Sequence, residues 1–166
     1  PHDAYDAVIS SGDVSRAAIV AHGDKGLFHL GPERDLPLFE GMTPRFVTAE
    51  GADFVVCTGL FDDDTETPEN YRAMLAALKA RGAPMICANP DLVVQRGDRL
   101  LYCAGALAEA YREIGGEVLF AGKPHRPIYD QAVALAARQR GAPVAHERIL
   151  AIGDSVRTDL HGAAGF

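Results

Sequence analysis

The sequence predicts an α/β protein built on a parallel sheet, and three observations carry that expectation. Phe54 to Thr58 (FVVCT) and Pro84 to Ala88 (PMICA) are short, unbroken apolar runs, as suits strands covered on both faces. Between them Tyr71, Met74, Leu75 and Leu78 recur at helical spacing, and a strand, helix and strand in this order bring the two strands together in parallel. A second such unit runs from Glu117 to Ala121 (EVLFA), through a helix from about Arg126 to Arg140, to a strand at Ile149 to Ile152.

In chain order, Tyr5 to Ile9 (YDAVI) is a strand candidate, and Ser11 or Asp13 can cap the short helix that follows. Leu27 to Leu30 (LFHL) is a further strand. Residues 31–46 are rich in Pro and Gly and are expected to be irregular or briefly helical. Thr67 can cap the next helix with Pro68 at its first position, and Gly82 ends it. Asn89-Pro90-Asp91 stops PMICA, and Leu92 to Gln95 and Arg99 to Tyr102 flank a Gly97 turn as a hairpin. Ala106 to Ile114 reads as a helix stopped by Gly115, and Gly141 stops the helix before the last strand.

Chemistry concentrates at two strand ends. If Ile149 to Ile152 is a strand turned by Gly153, Asp154 sits at its carboxyl end, the edge where open α/β sheets bind ligands. A carboxylate there can hold a hard cation such as Mg²⁺, with Thr158 and Asp159 opening the next helix as cap and first-turn acid. Lys123, just past EVLFA, faces the same edge as a point cation for phosphate oxygens or for a neighbouring carboxylate. Alone, Asp154 would read equally well as a solvated Asp in an ordinary strand, turn and capped helix, and Lys123 better as a solvent-exposed loop lysine.

Composition narrows the partners. The chain has 166 residues, 48% of them hydrophobic, enough for one domain or two small ones. A net charge of −7 without a basic stripe gives nucleic acid no footprint. Cys57, Cys87 and Cys103 show no C-x-x-C spacing and suit a reduced cytoplasm. No apolar run approaches the roughly 18 residues of a membrane span, and the start of the sequence lacks the features of a signal peptide. Neither G-x-G-x-x-G nor G-x-x-x-x-G-K-[ST] occurs.

Together, GKP-x4-Y at Lys123 to Tyr129, GDSVRTD at Gly153 to Asp159 and CANPD at Cys87 to Asp91 resemble the haloacid dehalogenase superfamily in its subfamily IIA, a branch of sugar-phosphate and p-nitrophenylphosphate phosphatases. The resemblance implies a partial Rossmann-like core over 1–24 and 118–166 with an inserted α/β cap over 25–117. It also implies a Mg²⁺-dependent phosphomonoester hydrolase acting on a small phosphorylated metabolite such as a sugar phosphate. Lys123 resembles the lysine that steadies nucleophile and phosphate, Asp154 the Mg²⁺ ligand, and Asp159 the outer acid that supports the site. Asn89 and Asp91 resemble a cap segment near the substrate, with Val93 to Ala106 shaping the leaving-group pocket.

The sequence also departs from that pattern. No D-x-D-G occurs, the motif that supplies the family's nucleophilic Asp. The nearest acidic run, Asp62-Asp63-Asp64, reads as a solvated loop before a helix. The second motif is not evident: Ser10-Ser11-Gly12 could supply its phosphate-binding hydroxyls after YDAVI, but it better resembles a similar stretch that follows that motif by one helix. The chain is therefore expected to begin after the first two motifs and to stop inside the helix after the fourth. It is expected to be inactive alone, with uncovered apolar faces that favour association with another chain, such as a second copy. The alternative is a non-catalytic α/β ligand- or partner-binding module. Ser155 as an esterase nucleophile is set aside, because Asp159-Leu160-His161 lies too close to it for a catalytic Asp-x-x-His.

Overall fold

The structure, a computed structural model, describes residues 5–166 and forms seven strands: β1 (Gly26–Leu30), β2 (Arg45–Phe46), β3 (Phe54–Cys57), β4 (Met85–Cys87), β5 (Val93–Arg96), β6 (Arg99–Tyr102) and β7 (Val118–Phe120). Five of them make one parallel sheet in the order β2-β1-β3-β4-β7, and β5 and β6 form a separate antiparallel hairpin. The α/β class and the parallel sheet agree with the sequence pattern.

Period-two alternation divides the strand side chains between two layers. Leu27, Phe54, Val56 and Ile86 face α1 (Ser11–Ala21), which supplies Ile19, and a 3₁₀ stretch over Glu33–Phe39, which supplies Phe39. Val55, Cys57, Met85 and Cys87 face α2 (Arg72–Ala80) and α3 (Ala104–Glu113), which supply Leu75, Leu78, Leu107 and Tyr111. A sheet buried on both faces explains why FVVCT and PMICA are continuously apolar rather than alternating.

Local signals set the helix starts. Ser10, not Ser11 or Asp13, caps α1: its amide and hydroxyl both donate to Asp13 Oδ2, and its Oγ accepts from the Asp13 amide. Asp13 therefore occupies the third helical position of a reciprocal capping box, which moves the cap one residue earlier. The same bonds hold its carboxyl below the usual carboxylate range. Thr67 opens the next helical stretch as expected, with Asn70 Oδ1 accepting from its amide at 2.8 Å and Pro68 starting a 3₁₀ turn that runs into α2.

Two expected strands do not form. Residues 5–9 and 149–152 have no ladder partner among the described residues, and an extended segment without one leaves its backbone to water. Leu150 is 82% exposed and Ile152 89% exposed, so the apolar pattern that suggested a buried strand lies uncovered. The second strand–helix–strand unit accordingly ends after α4 (Arg126–Arg140), which matches its expected bounds and stops at Gly141 with φ 68.

The sheet and its core run across both positions at which the sequence suggested a division. α1 lies before 24/25 yet packs Ile19 onto the sheet, and β7 lies after 117/118 yet pairs with β4 from Val118 to Phe120.

One histidine ties the fold to pH. His29 Nε2 lies 2.9 Å from Thr58 Oγ1, and the ring meets Phe39 edge-on. Burial pushes its pKa below the usual histidine value, against a smaller opposing pull from Asp35. The unfolded chain then binds the proton more readily, so this contribution is complete above the ordinary histidine value and is lost as pH falls through it. The denaturant midpoint should drop between about pH 7.5 and about pH 5.5, and His29→Asn should reduce that slope. His125, stacked on Phe120 and shifted the same way by burial, should account for the part that survives.

Candidate active site

β4 and β7 are paired neighbours, so the loops after their carboxyl ends lie side by side. After β4, Asn89 Oδ1 accepts from the Asp91 amide at 3.1 Å, the local turn that Asn-Pro-Asp favours. Two glycines bring this turn close to its neighbours. A Cβ at Gly105 would lie 2.3 Å from Pro90 O, and one at Gly122 would lie 2.8 Å from Pro90 Cδ. The Gly105 amide donates to Asp91 O at 3.1 Å, seating the turn on the start of α3. The result is a cleft of about 380 Å³ whose lining includes Ser10, Ser11, Asn89, Asp91, Lys123 and Thr158.

Lys123, just past β7, donates from Nζ to Asp159 Oδ1 at 2.5 Å. Asp159 Oδ2 accepts from the Ser155 amide at 3.2 Å, and a Cβ at Gly153 would meet Asp159 Cγ at 2.3 Å, so this loop is folded tightly on its own acid. The hydrogen bond from Lys123, then that from Ser155, holds the Asp159 carboxyl below the usual carboxylate range. The same contact pushes the Lys123 ammonium pKa up, with Tyr129 and Asp154 adding smaller effects of that sign. Ser155, rather than Thr158, caps the π-helical turn Val156–Leu160: its backbone is extended and its Oγ accepts from the Thr158 amide. That turn continues into α5 (His161–Gly165).

The expectation of two strand ends meeting at one edge is therefore half replaced. Lys123 does follow a strand, but Asp154 sits on a loop held at the sheet edge through the Lys123 to Asp159 ion pair. Asp154 is exposed, and among the described residues no hydrogen bond or ion pair engages its carboxylate. Its uncommitted hard oxygens suit Mg²⁺, whereas both Asp159 oxygens are occupied by Lys123 and Ser155.

The acidic run is the loop before a helical stretch that its sequence suggested, with Asp62 and Asp64 exposed, but Asp63 is not solvated. Its three carboxylates lie within 4.8 Å of one another, but Asp63 pairs with Arg34 at 2.7 Å and Arg96 at 2.9 Å, and Asp64 pairs with Arg99 at 3.0 Å. The Asp63 side chain is only 12% exposed. These arginines compensate the charge and fasten the β5–β6 hairpin to the body, a pairing invisible in sequence because the partners are distant along the chain. Asp63→Asn should cost about 1 kcal/mol, the upper end for such pairs. Amide exchange should quicken over Val93 to Tyr102 and not in β1, β3 or β4, and the effect should shrink in high salt.

The start of α1 brings Ser10 and Ser11, and the turn Val156–Leu160 brings Thr158, to the cleft beside Asn89; the sequence offered the two serines as phosphate-binding hydroxyls only as the less favoured reading and Thr158 only as a helix cap. Among the described residues no helix is long and apolar enough to cross a membrane.

Comparison with known proteins places this geometry. The description "Hydrolase: haloacid dehalogenase-like hydrolase" matches residues 7–166. A crystal structure of a hydrolase of the haloacid dehalogenase-like family from Brucella suis 1330 is 52% identical over 99% of this chain and 63% of its own length, with a TM-score of 0.84. In fold alone, the chain is also similar to a p-nitrophenyl phosphatase from Archaeoglobus fulgidus, at 18% identity and a TM-score of 0.70, over 93% of this chain and 57% of that one. A double mutant thermostable NPPase from Geobacillus stearothermophilus is likewise similar in fold, at 21% identity and a TM-score of 0.70, over 93% of this chain and 59% of that one. The chain thus spans about three fifths of the length of these relatives. No curated protein matches. With that match over nearly all its residues, the chain belongs to the haloacid dehalogenase-like hydrolase family.

Proposed function

We propose that this chain carries the phosphate-binding and leaving-group half of a Mg²⁺-dependent phosphomonoesterase acting on a small phosphate ester, such as a sugar phosphate, in the cytoplasm. The observation that supports it is the Lys123 to Asp159 ion pair, which holds the uncommitted Asp154 carboxylate near a cleft faced by Asn89 and Asp91. In this proposal Lys123 presents its ammonium to the non-bridging phosphoryl oxygens as charge develops on them. Asp159 keeps that ammonium charged and aimed. Asp154 is the residue of this chain that would hold Mg²⁺, whose charge when bound neutralises the phosphate. Asn89 and Asp91 face the leaving group, and the segment from Val93 to Ala106, which follows them in the chain, shapes the leaving-group pocket beyond the cleft. The attacking carboxylate comes from outside these residues, so the chain alone is inactive. The cap is proposed to be the packed unit around the five-stranded sheet, from about α1 to β7, and the segments flanking it belong to the core.

The test is Mg²⁺-dependent phosphate release from a panel of sugar, nucleotide and glycolyl phosphates, run in parallel on the full-length gene product and on residues 1–166. Activity confined to the longer protein supports the proposal. Release by residues 1–166 alone would overturn the assignment of the nucleophile. Silence in both, with no Mg²⁺ affinity, would favour a non-catalytic binding module.

A further inference from the structure

We propose that Tyr129 is a positioning residue for the Lys123 site, acting through Gly162, on whose bare Cα its ring rests. A Cβ at Gly162 would lie 2.0 Å from Tyr129 Oη, 2.6 Å from Cζ and 2.8 Å from Cε2, so no side chain larger than hydrogen fits between α4 and α5 at this point. The Tyr129 hydroxyl also donates to Thr158 O at 3.4 Å, a long bond that adds direction more than strength. On its far side the ring stacks on Phe166 with centroids 5.5 Å apart, and Phe166 is in turn stacked on His146 at 4.5 Å. One aromatic ring thus touches the turn that carries Asp159, the helix that follows it and the last residue of the sequence.

Among the described residues the 155–162 segment has few other anchors. Leu160 and Val156 are exposed, and the segment before it, Ile149 to Ile152, is uncovered. What remains to hold it is the Lys123 to Asp159 pair and the Tyr129 ring. The pair is half exposed on its lysine side and is weak on its own in water. Packing a flat ring against a glycine removes the slack that would otherwise let the turn slide along α4. Tyr129 also sits six residues after Lys123, in the first turn of α4, so the same connection after β7 supplies both the cation and the surface that aims its carboxylate partner. The proposal rests on the assignment of Lys123 and Asp154 to the site, and its test does not use activity alone.

In the full-length protein, the Lys123 ammonium is followed by its ¹H–¹⁵N signal, which is slowed in solvent exchange while Asp159 is bound to it. Tyr129→Leu and Gly162→Ala should each abolish that signal and speed amide exchange over Ser155 to Leu160 by roughly tenfold, with exchange in β1, β3 and β4 unchanged. Tyr129→Phe keeps the ring and should keep the signal. Adding Gly162→Ala to Tyr129→Leu should do little more than Tyr129→Leu alone, because the atom it would strike is gone. Persistence of the signal in both single variants, or strict additivity in the double variant, would overturn the proposal. If Lys123→Ala leaves turnover unchanged while these signals behave as described, the site assignment fails and the positioning contact stands.

Discussion

Lys123→Ala is expected to lower phosphomonoester turnover by the full-length protein about 10²- to 10³-fold, the cost of removing one aimed electrostatic donor from a site of developing charge. The loss should fall mainly on kcat, since the ammonium counts most when charge on the phosphoryl oxygens is greatest. Lys123 is half exposed and belongs to neither packed layer of the sheet, so the far-ultraviolet circular dichroism and the unfolding midpoint should stay close to those of the parent. Lys123→Arg should recover only part of the rate, because a planar fork cannot occupy the place of a compact point charge beside Asp159. Unchanged turnover in Lys123→Ala would remove the main support for the proposed function.

The largest effect on stability is expected at Phe54. Its side chain is 1% exposed, stacks on His22 at 4.2 Å, and joins Leu27, Ile86 and Ile19 in the layer between the sheet and α1. Phe54→Ala leaves a cavity that β3, paired on both sides, cannot collapse to fill, and should cost about 3 to 5 kcal/mol in denaturant unfolding. Phe54→Leu, which keeps most of the volume, should cost well under half of that. A value near zero for Phe54→Ala would mean that α1 does not pack as described.

The central elements were legible in the sequence because local and tertiary signals agree there. FVVCT, PMICA and EVLFA are apolar on both faces, and each is covered on both faces or paired at the sheet edge. The approximate bounds expected for α4 hold because Gly141 at its end acts through backbone geometry alone, and the structure adds Pro127 in the first turn as a start that suits a helix. Ile149 to Ile152 carried the same apolar signal without the same outcome, since a strand is completed by its neighbours and hydrophobicity does not name them. Lys123 and Asp159 could be singled out as residues, but their direct contact could not. It depends on a turn folded around Gly153 and Ser155 that leaves no periodic mark. The arginines that neutralise Asp63 and Asp64 were illegible for a similar reason: charge patterning is readable along a helix face, not across a hairpin and a distant loop.

The strand order has a consequence of its own. From β1 the chain first moves to one side, to β2, and then crosses to the other side to make β3, β4 and β7. In open parallel sheets the diverging connections at such a reversal leave a crevice between the two carboxyl ends, here those of β1 and β3, and ligands commonly settle there. This protein has closed that opening. Thr58 leans across it to His29, and its Oγ1 comes so near Gly31 that an added Cβ there would sit 2.0 Å away. With the reversal point spanned by a threonine and a histidine, the proposed function uses the loops after β4 and β7 instead. Shortening Thr58 would reopen the vestibule the topology provides, without touching the cleft beside Lys123.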